Sequence, residues 1–129
     1  QVDTNLSADF DDTSLSDDDI QIGFSPGDFS ALPPEVHIWR PTSLASSGSM
    51  IELAARKTAE GYILEAAIPW WVLQGRPSTE TPVGITLNVS DNDTPSEAQQ
   101  IRLLSNAPNR QWGDPTTWGT LILVDWGPQ

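Results

Sequence analysis

The chain has no cysteine. Disulfides, thiolate zinc sites, iron–sulfur clusters and cysteine nucleophiles are therefore excluded. It has a single histidine, His37, which argues against the multi-imidazole sites typical of zinc and copper. Basic residues are few: 6 Lys and Arg stand against 18 Asp and Glu, for a formal net charge of −12. Such a surface repels phosphate backbones and anionic lipid, so nucleic acid and membrane are poor partners. Neutral ligands and divalent cations suit it better. Long apolar runs are also missing. The best candidate, Ile68 to Leu73, is far too short to cross a bilayer. The chain opens on Gln1 with neither methionine nor signal peptide, as expected of a processed product or an excised piece.

What is present points to β structure. Hydrophobic residues make up 37% of 129, enough for one domain with a real core. The 11 prolines and 9 glycines read as frequent turns. We expect one domain over 1–129, with an acidic lead over 1–18 and a sandwich over 19–125. Residues 1–19 hold seven of the 12 aspartates and no basic residue. Such a lead is either a solvated, partly disordered segment or a calcium-binding edge loop, because hard cations gather carboxylate oxygens.

The alternation of Ile20, Ile22 and Phe24 predicts a strand over 19–24, followed by a turn at Ser25–Asp28. A second strand, 35–40, carries Val36 and Ile38 on one face and His37 and Trp39 on the other. A serine-rich loop runs from Pro41 to Ser49. Strands 50–58 and 62–68 form a hairpin about Ala59-Glu60-Gly61. Pro69 to Leu73 suits one helical turn with proline at its first position. Residues 84–90 read as one alternating strand, with Ile85, Leu87 and Val89 inward and Thr86, Asn88 and Ser90 outward. Strands at 100–104 and 118–124 complete an all-β, antiparallel β-sandwich, jelly-roll or immunoglobulin-like, with one short helical turn.

The outward residues of these strands are Gln21, Gly23, His37, Trp39, Thr86, Asn88, Ser90 and Arg102. They mix amides, an imidazole, a guanidinium and an indole. Amides and Arg bond sugar hydroxyls, and an aromatic ring stacks on the C–H face of a pyranose. The bland alternative is an ordinary wet sheet face. Of the six tryptophans, Trp70 or Trp71 is expected to plug the open end of the core, and Trp118 to be buried. Trp126 lies near the C-terminus. Trp39 and Trp112 stand in polar surroundings, where an exposed indole usually has a ligand. Asp91 to Glu97 is either a calcium-binding run of alternate oxygens or a plain Asx turn.

Several segments are similar to family 9 carbohydrate-binding modules. Asp17-Asp18-Asp19-Ile20-Gln21-Ile22 resembles the acidic start of a strand in that family. Glu60 to Trp70 resembles its G-G-Y-x-x-E-A-A-I-P-W hairpin. Val83 to Asp93 resembles its I-G-F-N-x-x-V-N-D strand. Asn109 to Pro115 with Trp118 to Leu121 resembles its closing W-x-D-P-x-x-F/W-G-x-L segment. The resemblance implies a β-sandwich with structural calcium. It also implies glucose- or xylose-type ligands, often chain ends, held between two tryptophans. Such modules are usually appended to secreted glycoside hydrolases, which implies a secreted or cell-surface location.

Carried over by position, Trp112 matches the second clamp tryptophan, Asn109 a sugar-bonding asparagine and Asn88 a polar sugar contact. Gln21 stands in place of a sugar-bonding glutamate. The first clamp tryptophan falls near Leu15, and Trp39 is our substitute for it. The expected carbohydrate set is Trp112, Asn109, Trp39, Asn88, Gln21, His37 and Arg102. The expected calcium ligands are Asp17, Asp18, Asp91 and Asp93. The family also has strands ahead of the position of Gln1. Either the chain was cut, or a further chain or segment supplies those strands by edge pairing.

Sugar binding without catalysis is the leading reading. The alternative is a structural or adhesive domain of a surface protein or filament whose sugar site has decayed. An enzyme is disfavoured: Glu52 and Glu65 lie on one predicted hairpin, yet no motif marks either of them as half of a glycosidase pair.

Overall fold

A computed structural model of the chain describes residues 1–8, 10–75, 78–91 and 102–124, with Asp91, Arg102 and Leu103 described as backbone alone. In chain order the strands are β1 (Val2–Asp3), β2 (Asp19–Ser25), β3 (Glu35–Arg40), β4 (Glu52–Lys57) and β5 (Tyr62–Ala67). After them come β6 (Val83–Ile85), β7 (Asn88–Asp91), β8 (Arg102–Ser105) and β9 (Gly119–Leu121). The described strand pairs are antiparallel. The chain is all-β, of the antiparallel β-sandwich class. Its contacts gather into two compact units, Asp17–Arg76 and Gln1–Ser16 with Pro77–Gln129.

In the unit of residues 17–76, β2 pairs with β3, Ile22 opposite Ile38 and Phe24 opposite Val36. The side-chain period of two puts these four on one face. There Ile38 joins Ile51 and Val72 in a buried cluster, flanked by Ile22, Phe24, Val36, Leu44 and Ile68. Each fully buried aliphatic side chain stabilises the fold by about 1.5–3 kcal/mol. The serine-rich loop expected after β3 is instead a 3-10 helix, Thr42–Met50. Small side chains allow its close approach: a Cβ on the buried Gly48 would sit 3.1 Å from the Val36 carbonyl. β4 and β5 form the expected hairpin, from Glu52 opposite Ala67 to Lys57 opposite Tyr62. The Thr58 N–H donates to the Gly61 carbonyl at 2.8 Å to close its turn.

The helical turn after β5 forms, with the Val72 N–H donating to the Pro69 carbonyl at 2.9 Å. Its tryptophans do not plug the core: Trp70 is 45% and Trp71 52% exposed, while Val72 and Leu73 are buried. Ile68 and Val72, four residues apart, share one face of the turn. That rotates the two indoles between them outward.

In the other unit, β1, β6 and β9 form a sheet, with Val2 opposite Ile85, Asp3 opposite Gly84, and Gly84 opposite Thr120. The acidic lead thus begins as a strand, and Asp3 within it is buried. Gly84 is needed there, because a Cβ would lie 2.9 Å from the Asp3 Cβ.

The single strand expected over 84–90 breaks after Ile85, and its facing is reversed. Thr86 is fully buried, whereas Leu87 and Val89 are exposed. Asn106 causes the break. Its Oδ1 accepts from the Leu87 N–H at 2.7 Å, and its own N–H donates to the Leu87 carbonyl at 3.2 Å. The chain thereby switches partners from β9 to β8. The buried Thr86 hydroxyl is satisfied by Asn88 Oδ1 and Ser105 Oγ, each at 3.2 Å.

Candidate functional site

The polar face of β2–β3 is built around a bulge. Gln21 pairs with Arg40 and Ile22 with Ile38, so Trp39 is the extra residue on its strand. Its indole swings over Gly23, which pairs with His37. The Trp39 benzo edge (Cη2 and Cζ3) fills the place a Cβ on Gly23 would take. The His37 ring meets the indole edge-on, with centroids 4.9 Å apart at 62°. Trp39 nonetheless remains 58% exposed. The result is an aromatic plate, more than half exposed, set against the strand at one edge and with an imidazole beside it. Fixing it in advance lowers the entropy lost when a ligand stacks.

Gln21 departs from its expected outward position. It is only 4% exposed, and its Nε2 is buried with no hydrogen-bond partner among the described residues. Beneath the bulge its amide is enclosed, and solvent does not reach it.

The second aromatic feature is the loop before β9. The Asp114 N–H donates to the Gln111 carbonyl at 3.3 Å, closing a tight turn with Trp112 and Gly113 at its centre. Trp112 projects from this turn, 64% exposed. Both ends are secured. The Gln111 N–H donates to Thr117 Oγ1 at 2.8 Å, and Asp114 Oδ1 accepts from the Thr116 N–H and hydroxyl at 3.1 and 2.6 Å. Gln1 adds a brace. Its Oε1 accepts from Arg110 Nε and Nη2 at 2.9 and 2.6 Å, and its Nε2 donates to the Trp112 carbonyl at 3.0 Å. Asn109 lies exposed on the same loop. Asn88 is half-buried and commits its Oδ1 to Thr86, leaving its Nδ2 end for other partners.

For Arg102 and Asp91 only the backbone is described, each opposite the other across β7–β8, and Asp93 lies outside the described residues. Asp17 is exposed, and its carbonyl accepts from Gln74 Nε2 at 2.9 Å. Among the described residues no three carboxylates or imidazoles converge as a metal site.

Sequence reasoning placed Trp39 and Trp112 correctly as exposed. It missed what holds them: Gly23 as a floor and Gln1 as a brace. A glycine on the polar face of a strand, opposite an aromatic, was the legible signal for the first. Nothing local in the sequence signals the second, because its two ends are 109 positions apart.

A chain of antiparallel strands that presents braced, solvent-facing indoles belongs to the class of β-sandwich ligand-binding modules. Comparison with known proteins narrows the class. The family described as carbohydrate family 9 binding domain-like matches residues 12–126, and the chain belongs to that family of non-catalytic carbohydrate-binding modules. Among curated relatives, it is similar to endo-1,4-beta-xylanase A of Thermotoga neapolitana, 33% identical over 81 residues. It is also similar to endo-1,4-beta-xylanase A of Thermotoga maritima, 31% identical over 78 residues. These matches cover 61% and 60% of this chain but 7% of each xylanase, so the chain spans a small fraction of the relatives it matches. No solved structure matches it. Among the described residues no helix is long and apolar enough to cross a membrane.

Proposed function

We propose that the chain binds neutral xylose- or glucose-type sugars as an extracellular module of a glycoside hydrolase that acts on xylan or a related glucan. The carrying observation is the Trp39 plate, laid over Gly23 and edged by His37. Stacking on the exposed indole supplies the apolar part of recognition. Trp112 offers a second plate, and Asn109 and the Nδ2 end of Asn88 offer hydrogen bonds of the kind sugar hydroxyls accept. The names of the two xylanases support the choice of sugar. The −12 charge supports a neutral ligand. Isothermal titration of the protein with xylotriose, cellotriose and a charged uronic-acid trimer tests the proposal. Heat with the neutral trimers alone supports it, and silence with both at millimolar sugar overturns it.

A structural calcium ion belongs to the same proposal, supported by the chemistry of the two aspartate-rich runs, 17–19 and 91–93. Thermal unfolding with and without a chelator tests it. A lower Tm after chelation, restored by calcium, is the expected result. An unchanged Tm removes the ion from the proposal.

A further inference from the structure

The unit that carries Trp112 also holds a cleft of about 340 Å³ to which none of the proposed sugar contacts belongs. Its apolar walls include Phe10 and Trp118, and Asp11, Thr13, Thr116 and Thr120 supply polar groups around it. Phe10 is 74% exposed, so its ring is held out toward solvent. Trp118 is buried, and its indole N–H is directed to the Gln111 carbonyl at 3.4 Å. What Trp118 gives the cleft is therefore carbon surface. The Thr116 hydroxyl donates its proton to Asp114 Oδ1 at 2.6 Å, which leaves its oxygen able to accept. Asp11, Thr13 and Thr120 are exposed. Among the described residues no basic side chain lines the cleft.

The chemistry selects the ligand. A pyranose has an apolar C–H face and a rim of hydroxyls that both donate and accept. An exposed phenyl ring suits the face, and a carboxylate with three threonine oxygens suits the rim. A phosphate or uronate would meet Asp11 with no cation among the described lining residues to offset it. The volume lies near the bottom of the roughly 300–1,000 Å³ range of small-molecule sites, which fits one or two rings and no long chain. The larger cavity of about 490 Å³ in the other unit lacks this balance. Among the described residues its lining is mostly proline, leucine and phenylalanine, and Ser30 provides the one side-chain hydroxyl.

We propose that the Phe10–Trp118 cleft is a second sugar subsite, which takes one or two neutral pyranose rings independently of the Trp39 and Trp112 plates. It rests on the reading of the chain as a sugar binder and adds a separate location.

The test is titration of xylobiose into the wild type, the double variant W39A/W112A, and the single variants F10A and T120V, with stoichiometry fitted. The two single substitutions fall on exposed side chains, and circular dichroism confirms that each variant is folded. The expected result is residual one-site binding in W39A/W112A, weakened about tenfold or more by adding F10A or T120V. Two results overturn the second subsite. One is a double variant that binds nothing while F10A matches wild type. The other is a single site that both sets of substitutions abolish, since that describes one continuous surface. A wild type silent to every neutral sugar overturns the underlying sugar reading as well, so the two failures are distinguishable.

Discussion

The benzo edge of Trp39 occupies the place where any side chain on Gly23 would begin. Gly23 pairs with His37, and the bulge at Trp39 turns the indole across the strand. The setting of this plate therefore depends on the glycine beneath its edge. Gly23→Ala forces the indole off the strand, since the rigid edge of a bicyclic ring cannot yield as a flexible chain end would. We expect affinity for xylotriose to fall about tenfold, equivalent to about 1.4 kcal/mol. Titration calorimetry measures the loss, and the near-ultraviolet circular dichroism band of Trp39, assigned by comparison with W39A, reports the displaced ring.

Gln21 provides a contrasting test at the base of the same bulge. Its buried Nε2 has no partner among the described residues, and an unsatisfied buried amide costs about 1–3 kcal/mol. Gln21→Leu removes that cost at similar volume. A rise of about 1 kcal/mol in unfolding free energy, with sugar affinity unchanged, is expected from urea melts and calorimetry. A drop in affinity would mean that the amide reaches the ligand after all.

The core of this unit rests on aliphatic side chains, with the indoles outside it. Ile38 and Val72 are fully enclosed, while Trp70 and Trp71 face out. Ile38→Ala should cost about 2–5 kcal/mol, in the range of large-to-small core substitutions. Trp71→Ala should cost under about 1 kcal/mol, as surface changes do. Equilibrium denaturation of both variants decides. The reverse order would place the indole in the core.

Asp28 gives a pH signature. Its Oδ1 accepts the backbone N–H groups of Leu32, Ser30 and Ala31 at 2.8 to 2.9 Å. These bonds, led by that of Leu32, favour the carboxylate and lower its pKa from 3.8 to about 2. A depressed folded-state value stabilises the native loop above the ordinary value and is lost as pH falls through about 2. Carboxyl-carbon NMR should show Asp28 titrating near pH 2, below ordinary exposed aspartates at about 3.9. In D28A, residues 28–32 should exchange their amide protons faster.

Much of this was legible in the sequence. Period-two patterns located β2, β3 and the β4–β5 hairpin; β2 and β3 each turn one apolar face to the buried cluster, while the hairpin keeps the alternation with its residues exposed or half-buried. Exposure of Trp39 and Trp112 followed from their polar neighbours. The strand over 84–90 misled because alternation gives a period and leaves its phase open. Asn106, near in space and remote in sequence, breaks the strand and lets Thr86 turn inward with its hydroxyl satisfied. The helical turn misled by size: large indoles suggested a plug, yet the smaller Val72 lies on the inward side. The Gln1 brace on the Trp112 loop depends on closing almost the whole chain, which local patterns do not encode.

The central claim is that exposed, pre-set indoles make this chain a sugar binder. The most direct measurement is calorimetric titration of xylotriose into the wild type, W39A and W112A. We predict measurable binding in the wild type and a loss of about tenfold or more in each variant, with unfolding midpoints little changed. Equal affinity in all three proteins, or no heat in the wild type at millimolar sugar, would contradict it.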